Sequence, residues 1–142
     1  MSAANIERIE HYFETLTQKS VGEMGAYYTE DAFFRDPFNE VRGTVAIQKV
    51  FLKMWESLDE PRFFIRETVA DGERLVLIWD FEFRIKGYHP NVTQRIHGLS
   101  VLRLSADGRI ANHRDYWDAA GELYEKLPLV GALLRWLKRR MG

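Results

Sequence analysis

Cysteine is absent from the 142 residues, which removes disulfides, zinc–thiolate centres and thiol nucleophiles at once. An excess of one charge is missing too. The 20 Lys+Arg and 21 Asp+Glu leave a formal net charge of −1, so nothing marks the chain as a nucleic-acid binder. No apolar run reaches the ~20 residues that a membrane-spanning helix needs. Residues Met1–Arg8 lack the basic start and apolar stretch of a secretion signal, and a cytoplasmic location is expected. No Gly-rich phosphate loop or dinucleotide fingerprint occurs, nor any His-x-His or His-Glu-x-x-His spacing. His113 and Asp115 together would offer a metal only two ligands, so neither a metal nor a cofactor is expected.

Hydrophobic residues make up 46% of the chain and aromatics 13%. The length suits one domain burying roughly 68–70% of its unfolded surface. Ile6, Ile9, Phe13 and Leu16 recur at helical spacing, predicting a helix over 3–18 capped by Ser2 or Asn5. A short second helix from Ser20 to about Thr29 would bury Met24 and Tyr27 or Tyr28. Ala32–Arg35 reads as a strand stopped by Pro37. Thr44, as N-cap, opens a third helix whose apolar stripe runs from Val45 to Leu58.

Beyond Pro61 the period changes to two. Strands are predicted over 62–70, 74–86, 93–105 and 109–118, with turns at Asp71-Gly72 and Ala106-Asp107-Gly108. Leu75, Leu77, Trp79, Phe81, Phe83 and Ile85 share one face of the second of these, and Asp80, Glu82 and Arg84 the other. Helices followed by hairpin-linked strands give an α+β class: a curved antiparallel sheet wrapped around N-terminal helices into a cone, plus a C-terminal helix. Residues 1–121 form the domain and 122–142 its amphipathic helical extension.

Two stretches carry candidate chemistry. Asp36-Pro37, with Tyr12, and Arg114-Asp115-Tyr116-Trp117-Asp118 each place a carboxylate among apolar groups, where a charge is costly without a partner. On the last strand Ala111, His113, Asp115 and Trp117 share one side, and Ile110, Asn112, Arg114 and Tyr116 the other. Parity alone does not say which side is the interior, and one bulge would flip it. The bland alternatives are a turn cap for Asp36, an ion pair with Arg103 or Arg114 for Asp115, a satisfied core hydroxyl for Tyr12, and a satisfied core imidazole for His113. His97 lies on the parity opposite Ser100, and His11 and His89 are expected to be exposed.

This layout, with Asp-Pro after the first short strand, resembles the nuclear-transport-factor-2-like superfamily over roughly residues 4–120. Within it the chain is similar to the SnoaL-like branch, which includes ketosteroid isomerases, limonene-epoxide hydrolases and polyketide cyclases. The isomerase pattern implies Asp36 as the proton-moving base and Tyr12 as an oxyanion donor, with the second donor's place falling on Ser100. The hydrolase stretch Arg-Asp-Tyr-Phe-Asp implies Asp115 as a catalytic acid or base. That pattern's further Arg and Asp fall on Trp79 and Phe81; Asp80 or Glu82 would enter only after a one-residue shift. The resemblance turns Asp115, His113 and Trp117 toward the cavity. It implies catalytic Asp36, Asp115, Tyr12 and His113, and substrate contacts from Trp79, Phe81, Phe83, Ser100 and Trp117.

The expected activity is a cofactor-free isomerase, hydrolase or cyclase acting on an apolar small molecule in a hydrophobic pocket. The alternative is a binding or protein-interaction module of the same fold. A homodimer through the outer sheet face is expected. Leu123, Leu127, Val130, Leu134, Leu137 and Met141 repeat at helical steps after which Lys138-Arg139-Arg140 brings a basic end. This helix would lid the cone or pack in a dimer; Trp136 and the basic run also admit a membrane-surface contact.

Overall fold

The computed structural model describes residues 2–88, 90–122 and 128–141. His89, Leu123 and Leu127 lie outside the described residues. The chain runs through α1 (Ala3–Glu14), a 3-10 helix (Ser20–Ala26), β1 (Tyr28–Arg35), β2 (Glu40–Arg42), α2 (Thr44–Leu52) and α3 (Met54–Ser57). It continues through β3 (Leu58–Asp71), β4 (Arg74–Ile85), β5 (Gln94–Leu104), β6 (Ile110–Trp117), α4 (Ala119–Glu122) and α5 (Pro128–Met141). The strands form one curved sheet in the order β2-β1-β6-β5-β4-β3.

Ser2 caps α1 by accepting from the Asn5 amide at 3.1 Å, and the helix buries Ile9, Tyr12 and Phe13. It stops four residues short of expectation. The Thr15 hydroxyl donates to the His11 carbonyl at 2.6 Å, and Thr17 and Ser20 exchange side-chain-to-amide hydrogen bonds. The Thr17 and Ser20 side chains thus take up amides that a longer helix would have bonded to its own carbonyls. The expected second helix is a 3-10 segment that yields to β1 at Tyr28.

β1 is longer than predicted, and β2 had no sequence signal. Asp36 makes the reversal between them: its amide donates to the Asn39 carbonyl at 2.9 Å. At the start of α2 the cap is Gly43, with φ of 98°, rather than Thr44, whose hydroxyl instead donates to the Thr29 carbonyl at 2.8 Å. The long third helix is two pieces, because the chain turns at Lys53 and enters β3 at Leu58. Pro61 lies inside β3, which is tolerable because β3 is an edge strand and its register slips between Asp59 and Arg62.

The sheet is mixed, not purely antiparallel, since β1 runs parallel to β6. That pairing sets Phe34 beside His113 and Arg35 beside Arg114. The β3–β4 hairpin turns at Gly72, with φ of 59°. The inner face of β4 buries Leu75, Leu77, Trp79, Phe81 and Phe83. On the outer face Asp80 bonds Arg66 at 3.0 Å and His97 at 2.8 Å, while Glu82 meets Arg95 at 3.3 Å. The one-residue register shift that would turn Asp80 or Glu82 inward does not occur.

β6 carries the bulge that parity had left open. Leu104 pairs with Ile110 and Arg103 with Asn112, so Ala111 is the extra residue. Ile110 and His113 can therefore both point inward, at 0% and 3% exposure.

Gly98 sits where three elements converge. A Cβ there would lie 2.7 Å from Trp79 Cη2, 2.9 Å from Trp117 Cβ and 2.9 Å from the Tyr116 carbonyl oxygen. The indole tip could move, but the Tyr116 backbone could not without breaking the β5–β6 ladder. Gly98→Ala is expected to cost about 1–3 kcal/mol through overpacking. Urea unfolding checks this, and an unchanged midpoint would show that the sheet gives way freely.

Candidate active site

A carboxylate on the inward side of a central strand must find donors or water. Asp115 finds them in the protein. The β5–β6 register sets Ser100 opposite Asp115, and the Ser100 hydroxyl donates to Asp115 Oδ1 at 2.5 Å. Trp79, reaching over Gly98 from β4, donates its indole N–H to Ser100 Oγ at 2.9 Å. From the other side His113 Nε2 lies 2.6 Å from the same Oδ1, and Tyr28 Oη lies 2.6 Å from His113 Nδ1.

Burial, and next the nearby charge of Asp115, push the Tyr28 phenol well above its ordinary range. The Tyr28 hydroxyl therefore keeps its proton. An ionised carboxylate only accepts, so Nε2 carries the hydrogen that meets Asp115, and in the neutral imidazole Nδ1 accepts from Tyr28. Two chains of donors, Trp79 to Ser100 and Tyr28 to His113, thus converge on one oxygen. Among the described residues no hydrogen bond reaches Asp115 Oδ2, which is left available to a reacting proton.

The surroundings are aromatic. The His113 ring is stacked parallel to Tyr28 at 5.9 Å and meets Phe34 edge-on at 4.8 Å and Phe13 at 5.9 Å. The His113 side chain is 4% exposed and that of Asp115 14%. Asp115 stands between two spaces. Inward is a cavity of about 20 Å³ lined by Phe13, Phe51, Phe63, Trp79, Ser100 and His113, among others. It matches one water molecule, whereas a drug-sized ligand fills about 300–1,000 Å³. Outward is a groove of about 480 Å³ between Arg35-Asp36-Pro37 and Arg114–Trp117. It exists because β1 leaves the sheet at Arg35 while β6 continues to Trp117.

The other expected site residues divide among several places. Asp36 reaches the groove wall, but its carboxylate is occupied. Oδ1 accepts from the Phe38 and Asn39 amides at 2.7 and 2.6 Å, and the Asn39 side-chain amide spans both oxygens at 3.1 Å. This is the turn-capping arrangement. Tyr12 is not brought to Asp36: its hydroxyl donates to the Ser20 carbonyl at 2.8 Å, and its ring stacks on Tyr27 at 3.8 Å. Phe13, the next residue on α1, takes the cavity position instead.

Trp117 lines the groove and meets Phe38 edge-on at 5.4 Å. Phe81 stacks on Phe63 at 4.5 Å, with Phe83 beside it at 5.2 Å; both are core and neither borders the cavity. Tyr28 is the participant that sequence reasoning missed. A strand-opening tyrosine needs a partner for its buried hydroxyl. Its partner could be named only by knowing that β1 lies parallel to β6.

The family described as SnoaL-like domain matches residues 9–113. No curated protein matches the chain. Among solved structures, an NTF2-like protein of unknown function from Burkholderia pseudomallei is similar at a TM-score of 0.72 and 18% identity, over 85% of this chain and 95% of that one. An LEH-like epoxide hydrolase of M. tuberculosis superposes with a TM-score of 0.69 and 19% identity, covering 94% and 96%. A protein of ketosteroid isomerase-like fold from Catenulispora acidiphila, in complex with trimethylamine, gives 0.71 and 13% over 87% and 92%. At these identities the structural likeness shows the fold alone.

Replacing Tyr28 by Phe strands the buried Nδ1 of His113, so Tyr28→Phe is expected to lose about 1–3 kcal/mol near neutral pH. The alkaline limb carries the opposite signature. Burial raises the phenols of both Tyr28 and Tyr12 above their ordinary value of 10.0. Above that pH the unfolded chain releases these protons while the folded one keeps them, so stability is complete below about pH 10 and falls as pH rises. Urea midpoints at about pH 8 and about pH 11 should therefore converge more closely for Tyr28→Phe than for wild type. Equal slopes would mean that Tyr28 ionises freely in the fold.

Proposed function

Because the chain belongs to the SnoaL-like domain family, we propose that it is an acid–base catalyst acting on an apolar small molecule, with Asp115 as the group that takes up and returns the proton. The reaction is proton transfer or water addition, of the isomerase, cyclase or hydrolase kind. The observation that carries this reading is the convergence of two donor chains on Asp115 Oδ1, with no described hydrogen bond to Oδ2. A carboxylate so held is fixed in one rotamer and spends no reorganisation when a C–H or O–H bond is presented to it. Ser100 and His113 position it. Tyr28 donates to Nδ1 of His113 and is a positioning residue as well.

The apolar part of the substrate lies in the groove against Pro37 and Trp117, with its reacting atom at Asp115. Arg35 and Arg114 line the same groove and suit a polar substituent. The single-water volume beyond Asp115 is too small for a substrate, but it is the right size for a water used in hydration. Asp36 is the weaker candidate base, because the turn already uses both of its oxygens. Of the three reaction kinds, epoxide opening with a charged Arg–Asp pair on β4 is the least supported, since those places hold Trp79 and Phe81.

One observation favours a second reading, a binding module without catalysis. Phe13, Phe51, Phe63 and Trp79 leave the interior nearly filled. A module of that kind would hold its ligand in the groove and keep Asp115 for structure.

Purified chain assayed with ketones, epoxides and polyketide-like substrates separates the two readings. Turnover of at least one class is expected. Asp115→Asn should lower kcat by about 10²–10⁴-fold, the range for loss of a general acid or base. Asp36→Asn should leave kcat within about threefold while lowering stability by about 1 kcal/mol. Full activity of Asp115→Asn would remove Asp115 from the chemistry. Ligands that raise the melting temperature without ever turning over would establish the binding module instead.

A further inference from the structure

α5 takes no part in the acid–base network. Its sequence holds Arg135, Lys138, Arg139 and Arg140 and no Asp or Glu, so a chain of net charge −1 concentrates positive charge at one end. The same helix exposes large apolar side chains: Leu133 by 57%, Trp136 by 46%, Leu137 by 38% and Met141 by 85%. At about 100° per residue, Leu133, Leu137 and Met141 form one stripe, flanked by Trp136 and Arg140 on one side and by Lys138 and Gly131 on the other, with Arg135 and Arg139 opposite it.

The flank with Gly131 and Lys138 faces the domain. Gly131 is buried, and the Lys138 ammonium lies 3.4 Å from where a Gly121 Cβ would stand, alongside the Asp118 carboxylate. Cations in the last turn complement the helix dipole. The dipole gives no reason for a tryptophan and three long apolar side chains to stand in water on the same helix.

We propose that α5 lies flat on an anionic phospholipid bilayer, with the Leu133–Leu137–Met141 stripe in the headgroup–acyl boundary, Arg140 beside Trp136 against lipid phosphates, and the helix's remaining positive charge adding longer-range attraction to the anionic surface. Charge selects this occupant. A second copy of α5 docked on the stripe would bring two wholly cationic helices together, whereas an anionic leaflet meets them with the opposite sign. The Arg140 guanidinium stands over the Trp136 ring, 5.0 Å from its centroid. This pairs an amphipathic ring with a cation at the depth where tryptophans settle in membranes. No helix among the described residues is long and apolar enough to cross a membrane, so the contact is peripheral.

The test is sedimentation of the full chain with vesicles of phosphatidylcholine alone and of phosphatidylcholine with about one-quarter phosphatidylserine. At low salt the anionic vesicles should carry down at least about tenfold more protein, and molar salt should release it as the screening length shrinks to about 3 Å. Leu137→Glu and the pair Arg139→Glu with Arg140→Glu should each reduce binding about tenfold, with circular dichroism and Tm unchanged because all three residues are exposed. No sedimentation with anionic vesicles, equal binding to both vesicles, or indifference to both variants would overturn the proposal. So would a wild-type dimer that Leu137→Glu converts to monomer, which would assign the stripe to a second copy.

Discussion

The oxygen Oδ1 of Asp115 is where the interior of this domain is decided. A carboxylate among Phe13, Phe34, Phe51 and Trp79 would cost several kcal/mol if it stood alone, and each surrounding element contributes to preventing that. The β5–β6 register delivers Ser100. Strand alternation puts His113 on the same side as Asp115, and the extra residue Ala111 lets Ile110 join them there. The parallel run of β1 along β6 supplies Tyr28 behind the imidazole. The missing side chain at Gly98 lets the Trp79 indole lean across to reach Ser100. Displacing any one of these leaves a buried donor or acceptor open, at about 1–3 kcal/mol each. Among the described residues every fully buried side-chain nitrogen or oxygen has a partner.

Aromatic filling and polar convergence work together. The rings around His113 exclude water from the two donor chains, which strengthens each hydrogen bond in its low-dielectric setting. They also shrink the interior to the size of a single water. Next to Asp115, among the described residues, space for anything larger opens on its other side, where β1 ends early. The Asp36 cap makes that ending: by holding the amides of Phe38 and Asn39 it turns the chain back into β2 and opens the groove beside Trp117. Asp36 thus shapes the access to Asp115 without needing a proton-transfer role of its own.

What the sequence showed, and what it withheld, follows the range of the interactions involved. The period of two from Arg62 onward, the Asp71-Gly72 turn and the helical spacing in α1 are local signals, and the corresponding elements stand within a few residues of expectation. The family likeness was legible for the same reason, through short motifs at strand ends. Local competition was harder to read: whether Thr15, Thr17 and Ser20 would end α1 early, or Gly43 displace Thr44 as cap, turns on a few hydrogen bonds of about 1 kcal/mol each. The long-range features left no trace at all. β2 is three residues long, the β1–β6 pairing joins residues about eighty positions apart, and Tyr28 joins the site only through that pairing. Parity grouped His113, Asp115 and Trp117 correctly with one another, but Ile110 changed sides because a one-residue bulge has no signature in composition.

The proposal that Asp115 does chemistry draws support from what a purely structural role at that position would require. Replacing a buried, paired charge with well-packed apolar residues of similar volume is often neutral or stabilising, so a fold selected only to persist gains little from such a group. Here Tyr28, Trp79, Ser100, His113 and Asp115 have to be placed together, and losing one partner exposes the rest to an unmet hydrogen bond. An apolar cluster at these positions would tolerate drift in sequence far better. Asp36 shows the contrast within the same chain: a carboxylate kept for structure accepts hydrogen bonds on both oxygens at the surface end of a strand. Asp115 is held by one oxygen and lines both the small inner cavity and the open groove. The proposed proton transfer would use the other oxygen, Oδ2, whereas the arrangement at Asp36 needs no role beyond the turn.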